Sequence, residues 1–365
     1  MTDIQSATID RMLRGTISPI DCNEREWEQV LRLARMSGLH GRLAVNNVQN
    51  PLLSAPVRRH LLSAARVAKF RSQMLRAELF HLAPLCDKDF PVVLLKGGAY
   101  LAQQLHLATG RFVSDVDLLV PRAHLGAMEQ RLRAGGWQAV ELTAYDERYY
   151  RDWSHETPPF RRPGHFLEVD LHHAITPVTG SLNFDPAPLI EASIPLADTP
   201  FRVLCAEDQV LHACLHCFHD GDLALRVREV VDIDGLLRTF AQESGFWDRL
   251  VRRASQLGLE RPLWYGLHYA RRWLDCPVPA SVPESLSGTP SKITQRCMDT
   301  LAPLALLPSN PDTPVPLHVQ LARNLMLTRY HLLRMPLRLL LPHLARKAGR
   351  RLQTRLNQKS IGAGV

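Results

Sequence analysis

The stretch GRFVSDVDLLV, residues 110–120, places two aspartates, Asp115 and Asp117, directly before the apolar run LLV. An apolar run of this kind predicts a buried strand. Side chains two residues apart in a strand point to the same side of the sheet, so both carboxylates should share one face. Because two like charges at this spacing repel each other, the pair predicts a bound cation.

The neighbouring sequence extends this strand into a small α/β unit. The segment FPVVLLKGG (90–98) predicts a buried strand that ends at two glycines, and AYLAQQLHLA (99–108) predicts a helix after it. The segment RAHLGAMEQRLRAGG (122–136) predicts a second helix closed by its final glycines, and HFLEVDLHHAI (165–175) predicts a later strand. Strands and helices thus alternate through this part of the chain.

Helical periodicity dominates on both sides of the α/β unit. We therefore divide the chain into an N-terminal helical segment (1–88), an α/β core (89–200), a helical domain (201–312) and a basic helical tail (313–365). The predicted fold class is α+β. No internal repeat and no low-complexity tract is present.

The charge of the chain is concentrated at its C-terminal end. The formal net charge is +8, but the residues after Asp312 contain ten Lys and Arg and no acidic residue, which leaves −2 for the remainder. The high isoelectric point of the chain therefore results from the tail and says little about the other segments. The sequence contains no apolar run of membrane-spanning length, its N-terminus lacks the apolar core of a signal peptide, and its seven cysteines are scattered; these features predict a cytoplasmic protein.

Three carboxylates are the candidate metal ligands. Asp115 and Asp117 lie on one predicted strand and Asp170 lies on another. Carboxylate oxygens are hard ligands that suit Mg²⁺, which usually keeps waters and substrate phosphates as its other ligands. Two such ions can stabilise both the attacking and the leaving oxygen of a displacement at phosphorus. The glycine pair Gly97 and Gly98 allows the backbone to approach phosphate oxygens closely. The aspartates therefore predict a site for Mg²⁺ that carries a nucleoside triphosphate.

The combination LLKGGAYLAQQLHLATGRFVSDVDLLV (94–120), GGW (135–137) and EVDLHH (168–173) resembles the nucleotidyltransferase superfamily that includes DNA polymerase β. Within it, the chain is similar to a bacterial branch known as the nucleotidyltransferase family proteins, which share a Leu-Lys-Gly start, an arginine before an Asp-x-Asp-Leu-Leu-Val strand and a later Asp-Leu-His. The resemblance implies a small polymerase β-like core with a mixed sheet, flanked by helical segments.

The resemblance also implies roles for individual residues. Gly97 and Gly98 would cradle the triphosphate, and Asp115 and Asp117 would bind both metals. Asp170 would be the third carboxylate and would help to activate the acceptor hydroxyl.

Further positions would bind the nucleotide or the acceptor. Arg111 matches the family arginine and would contact phosphate, while His216, His219 and Asp232 match polar positions that line the cleft from the helical domain. Lys96 would neutralise phosphate.

Several alternatives remain open at this level. Glu168 shares the alternating face of Asp170 and could be the third ligand instead, and Lys96 could equally face solvent. The segment LHACLHCFHD (211–220) has zinc-ligand chemistry in Cys214 and Cys217 with nearby histidines, although no second pair follows at zinc-finger spacing. A polar patch between packed helices is the simpler interpretation of those histidines.

The basic tail has several interpretations. Leucines and arginines alternate at helical spacing over residues 331–359, which suits a membrane surface or an acidic partner. Nucleic acid is a weaker prediction because no aromatic residue follows 331, and a solvated end is the simplest alternative. Pro336 and Pro342 should break the helix.

The function hypothesis is transfer of a nucleoside monophosphate from an NTP, with ATP expected first, to an acceptor hydroxyl with release of pyrophosphate. Mg²⁺ is the expected metal, with Mn²⁺ as the substitute. The acceptor would be a small molecule, a peptide or a protein. A rival hypothesis is a module that binds NTP without transfer and acts as a partner surface or scaffold, and a second is a zinc-dependent structural protein.

Overall fold

The computed structural model describes residues 12–13, 22–86, 89–143, 150, 153–182, 184–219 and 222–342. A mixed sheet of seven strands, in the order β3-β4-β5-β2-β1-β7-β6, forms the centre of this part. The strands are β1 (Val92–Leu94), β2 (Asp115–Leu119), β3 (Gln138–Ala139), β4 (Phe160–Arg161), β5 (Glu168–His172), β6 (Ile194–Pro195) and β7 (Phe201–Val203).

Two pairs of strands are parallel and the others antiparallel. β2 pairs with β5 and β1 pairs with β7 in parallel, while β1 and β2 are antiparallel to each other. The central strands are buried: every residue of β1 and of the apolar half of β2 is almost inaccessible to solvent. This arrangement confirms the predicted α+β fold with a mixed-sheet core.

Helices precede and follow the sheet strands along the chain. Before it lie α1 (Glu24–Met36), α2 (His40–Asn47) and α3 (Ala55–Leu82). Asn23 and Glu26 begin α1 with a capping box, in which each side chain accepts the backbone N–H of the other residue. Within the sheet region lie α4 (Lys96–Ala102), α5 (Leu125–Ala134) and α6 (Ala187–Glu191), and after it come α7 (Ala206–Phe218), α8 (Val227–Phe240), α9 (Phe246–Leu257), α10 (Glu260–Leu274), α11 (Ser281–Glu284), α12 (Lys292–Leu306) and α13 (Leu317–Arg334).

The first βα junction differs from its prediction. β1 ends at Leu94, and the glycine pair lies in the first turn of α4 instead of ending the strand. Lys96, not a glycine, takes the left-handed conformation at this junction, with φ of 45°. Gly97 is needed for a steric reason, because a Cβ there would lie 2.3 Å from Nη1 of Arg111.

The C-terminal helix α13 ends at Arg334, two residues before Pro336, and Met335 is extended. An extended residue before proline is the expected conformation. The chain is helical again at 337–342, so within the described residues the helix is interrupted at Pro336 and still includes Pro342. Most of the basic tail lies outside the described part. No helix within that part has both the length and the apolar character needed to cross a bilayer.

Candidate active site

Four carboxylates lie on one face of the sheet where β2 and β5 run in parallel. Asp115 pairs with Glu168 and Asp117 pairs with Asp170 in the strand register. Residues paired in this way, and residues two apart on one strand, point to the same face. The aspartates predicted from sequence are therefore brought together on adjoining strands.

Asp117 is the buried centre of this group, with 3% of its surface exposed. Its Oδ1 accepts hydrogen bonds from Lys96 Nζ at 2.8 Å and from His172 Nε2 at 3.0 Å. Burial alone raises the pKa of a carboxyl, but Lys96 and His172 outweigh it and hold the pKa of Asp117 well below its usual range. Asp117 is therefore ionised at neutral pH.

Asp115 and Asp170 carry charge that is poorly compensated. Burial, followed by repulsion from Asp117, raises the pKa of both carboxyls, and that of Asp170 reaches about 7. Neither forms an ion pair with a side chain of the described residues. Carboxylates in such a position favour a cation, because a nearby positive charge would restore their ionised form.

Glu168 differs from Asp170 in its surroundings. Its Oε1 accepts a hydrogen bond from Arg161 Nε at 2.6 Å, and 37% of its side chain is exposed. Asp170 lies beside Asp117 in the register, and burial raises its pKa. These observations support Asp170 as the third metal ligand, which remains a prediction.

Lys96 points into the cluster of Asp115, Asp117, Glu168 and Asp170, here called the carboxylate group, and not into solvent. It bonds to Asp117, and the more distant carboxylates Asp115 and Glu156 also raise its pKa against the effect of burial. The first turn of α4, with Gly97 and Gly98, places the backbone next to this ammonium. At Gly98 a Cβ would meet only Leu94 Cδ2, at 3.9 Å, so steric space does not require that glycine.

Arg111 lies under Gly97 and is tied to the helical domain. Its Nε donates to Asp232 Oδ2 at 2.9 Å, and its guanidinium lies 5.5 Å from the ring centroid of Tyr100. Arg42 Nη2 lies 3.6 Å from the other oxygen of Asp232. Asp232 is 3% exposed, so the structure places it inside an ion-pair network between α8 and the loop before β2.

The two predicted histidines at the C-terminal end of α7, of which His219 is the C-cap residue, have separate environments. His216 lies within 3.3 Å of Glu229 and accepts from Arg226, and burial together with the charge of Lys96 lowers its pKa to about 4. His219 lies beside Arg329 of α13; burial and that arginine lower its pKa to about 4. His216 is thus near the Lys96 group, whereas Lys96 has no resolved influence on His219.

The zinc hypothesis for residues 211–220 is not supported within the described part of that segment. Cys214 and Cys217 are fully buried, and Cys214 Sγ occupies the space beside Gly266 of α10. Burial raises the pKa of both thiols, which disfavours the thiolate that a metal needs. Among the described residues, the histidines and cysteines of α7 do not gather into a metal-binding group.

The sequence reasoning did not identify His155 and Glu156, which lie next to this site. Glu156 forms an antiparallel bridge with His172, and the two residues and His155 offer ligand atoms within 4.8 Å of one another. The only signal in the sequence is the polar pair in WSHETPP (153–159), which has no strand pattern of its own.

The oxygen donors of this face suit a hard divalent cation. Asp115, Asp117 and Asp170 present carboxylates from two adjoining strands, and burial, followed by repulsion from Asp117, raises the pKa of the other two. This donor set fits Mg²⁺ or Mn²⁺ better than a soft metal.

Comparison with known proteins identifies the family of this chain. The sequence model of a family described as "Uncharacterised nucleotidyltransferase" matches residues 23–275, a range that includes every candidate site residue. No curated protein matches the chain. The crystal structure of JHP933 from Helicobacter pylori is 14% identical, covers 72% of this chain and 95% of its own, and has a TM-score of 0.31, a similarity too low to inform the fold or the site. The match over residues 23–275 shows that the chain belongs to the family of uncharacterised nucleotidyltransferases.

Proposed function

We propose that this protein transfers a nucleoside monophosphate from an NTP, with ATP as the first candidate, to an acceptor hydroxyl in a Mg²⁺-dependent reaction that releases pyrophosphate. The observation that carries the proposal is the shared face of Asp115, Asp117 and Asp170, with Lys96 beside them. Membership of the family supports nucleotide transfer in general.

Asp115, Asp117 and Asp170 would hold the metal, with Mn²⁺ as a substitute for Mg²⁺. When bound, divalent ions at such a site neutralise the triphosphate and stabilise charge on the attacking and leaving oxygens. The remaining work of the protein is positioning and charge compensation.

The protein's own groups have distinct tasks in this proposal. Lys96 supplies a positive charge that lies 2.8 Å from Asp117 and that triphosphate oxygens can share. Asp170 would be ionised beside a bound cation, and a carboxylate in that form can accept the proton of the acceptor hydroxyl. Arg111, fixed by Asp232, places a second cation close to Asp115.

The acceptor is proposed by class only: a small molecule, a peptide or a protein hydroxyl. The basic tail at 331–359 is proposed to contact a membrane surface or an acidic partner, ahead of nucleic acid. Cytoplasmic location remains part of the proposal.

One observation favours a second candidate, a module that binds NTP without transfer. Lys96 and His172 compensate the charge of Asp117 without a metal. A lysine that stayed on Asp117 would compete with a metal for the same oxygen. Transfer and binding must therefore be measured separately.

The test is transfer of label from each α-³²P NTP with Mg²⁺, alone and with fractions of bacterial metabolites and peptides. Wild type is compared with the Asp115→Asn/Asp117→Asn double variant and with Glu168→Gln as a matched control. We expect label in an acceptor for wild type and Glu168→Gln only. Mg²⁺-dependent NTP binding without transfer to any fraction would favour the second candidate, and wild type that binds no NTP would refute both.

A further inference from the structure

We propose that His155, Glu156 and His172 form a binding site for a divalent transition-metal ion of the Zn²⁺ class, adjacent to the carboxylate group but separate from it. The three side chains offer two imidazole nitrogens and one carboxylate oxygen, all within 4.8 Å of one another. Two histidines with one carboxylate are a known ligand set for zinc. The inference concerns binding and does not depend on nucleotide transfer.

Two of the three distances between the donor atoms are close to those around a bound ion. Glu156 Oε2 lies 3.8 Å from His172 Nδ1 and 3.9 Å from His155 Nε2. A tetrahedral ion with bonds of about 2.1 Å would hold its donors about 3.4 Å apart. A shift of about half an ångström would therefore close these two distances.

His172 is oriented as a metal-binding histidine usually is. Its Nε2–H donates to Asp117 Oδ1 at 3.0 Å, so in the neutral ring the lone pair of Nδ1 points toward Glu156. A carboxylate that accepts the second ring N–H of a ligand histidine fixes the tautomer and increases the basicity of the ligand nitrogen. Asp117 would thus serve the carboxylate group directly and the new site through His172.

The backbone holds the ligands in place. Glu156 and His172 are paired in an antiparallel bridge, and His173 N and Thr157 N donate to His155 O and Leu171 O at 2.9 Å each. His155 and His172 are buried, with 6% and 3% of their surfaces exposed. The Glu156 side chain is 28% exposed and provides the route for an ion from solvent.

The charges around the group set the conditions for binding. Lys96 and Arg334 act on His155 and oppose a cation, whereas Glu156 and Asp117 act on His172 and favour one. Burial, followed by the neighbouring His172, holds the pKa of His155 well below its usual value, so this ring is neutral and able to ligate. The alternative to a metal ion between the three side chains is a proton on His172 Nδ1.

The experiment is a titration of the full-length protein with Co²⁺ at pH 8, followed by ligand-field absorption and then by displacement with Zn²⁺. Excess Mg²⁺ is present to occupy the carboxylate group. The variants are His155→Ala and the isosteric Glu156→Gln, with Asp170→Asn as the matched control outside the new site. Circular dichroism confirms that each variant is folded.

We expect one equivalent of Co²⁺ with a nitrogen-containing ligand field in wild type and in Asp170→Asn, and an affinity at least about tenfold lower in both ligand variants. Failure of wild type to bind Co²⁺ or Zn²⁺ near stoichiometry would leave protonated His172 as the occupant and overturn the proposal. Binding that survives in His155→Ala and Glu156→Gln but is lost in Asp170→Asn would assign the metal to the carboxylate group and also overturn it. Nucleotide transfer is measured separately, so either result leaves the proposed function to its own test.

Discussion

The role of Asp232 can be tested by removing its charge. Asp232→Asn keeps the shape of the side chain but leaves Arg111, which is 9% exposed, and Arg42, which is 23% exposed, without a carboxylate partner. Removing one partner of a buried ion pair typically costs about 3 to 5 kcal/mol, because the remaining charge stays desolvated. Asn can still accept one hydrogen bond from Arg111, so we expect a loss near the lower limit, about 3 kcal/mol.

Asp234→Asn is the matched control on the same helix. Asp234 bonds to Arg238 at 2.8 Å, but 45% of the arginine side chain is exposed and it also donates to the carbonyl oxygen of Leu274. An exposed pair of this kind contributes about 0.3 to 0.5 kcal/mol.

Urea unfolding followed by circular dichroism measures both variants. With a slope of about 3 kcal/mol per molar, the Asp232 variant should unfold about 1 M earlier than wild type, and the Asp234 variant close to it. Equal midpoints for the two variants would refute the buried-network reasoning. A loss of NTP affinity in Asp232→Asn with an unchanged midpoint would instead return Asp232 to the nucleotide-binding role implied by the family resemblance.

Three other predictions concern the junction, the carboxylate group and the tail. Gly97→Ala should weaken NTP binding, measured by calorimetry, and lower thermal stability, because the added Cβ would displace Arg111. Gly98→Ala should behave as wild type in both assays, because a Cβ has room there. Equal losses in the two variants would be inconsistent with the steric argument. The pKa of Asp170 in the folded protein is raised from 3.8 to about 7, so its ionisation makes the metal-free protein less stable as pH rises through this range. One pKa unit corresponds to about 1.4 kcal/mol. Asp170→Asn should therefore add up to about 4 kcal/mol to the free energy of unfolding at pH 8 and little at pH 4. A gain in urea unfolding that is the same at both pH values would contradict it. Reversing the basic charges within 331–359 should abolish co-sedimentation with anionic vesicles at low salt, and wild type that does not sediment with them would rule out the membrane-surface proposal.

The carboxylate face could be predicted from sequence because it depends on a local rule. Asp115 with Asp117, and Glu168 with Asp170, alternate within their own strands, so each pair shares a face once the strand is recognised. What the structure added is the parallel register of the two strands, which aligns Asp115 with Glu168 and Asp117 with Asp170.

The junction after β1 could not be read from the sequence. The glycines suggested a strand end, but Gly97 is required because Arg111 reaches it from a loop 14 positions later in the chain. Lys96 takes the left-handed conformation, which is rare for residues other than glycine and indicates that the surrounding structure holds it there. These constraints arise from tertiary contacts.

The group around His155 was missed for a similar reason. Glu156 meets His172 through a bridge between segments 16 residues apart, and the stretch before Pro158 has no alternating pattern that would mark it as a strand. A polar pair in an irregular segment gives no signal until its pairing partner is known.

The central claim is that Asp115, Asp117 and Asp170 bind a divalent metal that carries an NTP, and Mg²⁺-dependent NTP binding measured by calorimetry tests it most directly. The decisive comparison is Asp170→Asn with Glu168→Gln, because the two residues share a strand and a face but only Asp170 lies beside Asp117. We predict Mg²⁺-dependent binding in wild type and Glu168→Gln, and an affinity at least about tenfold lower in Asp170→Asn. Equal binding in all three proteins, with or without Mg²⁺, would contradict the account.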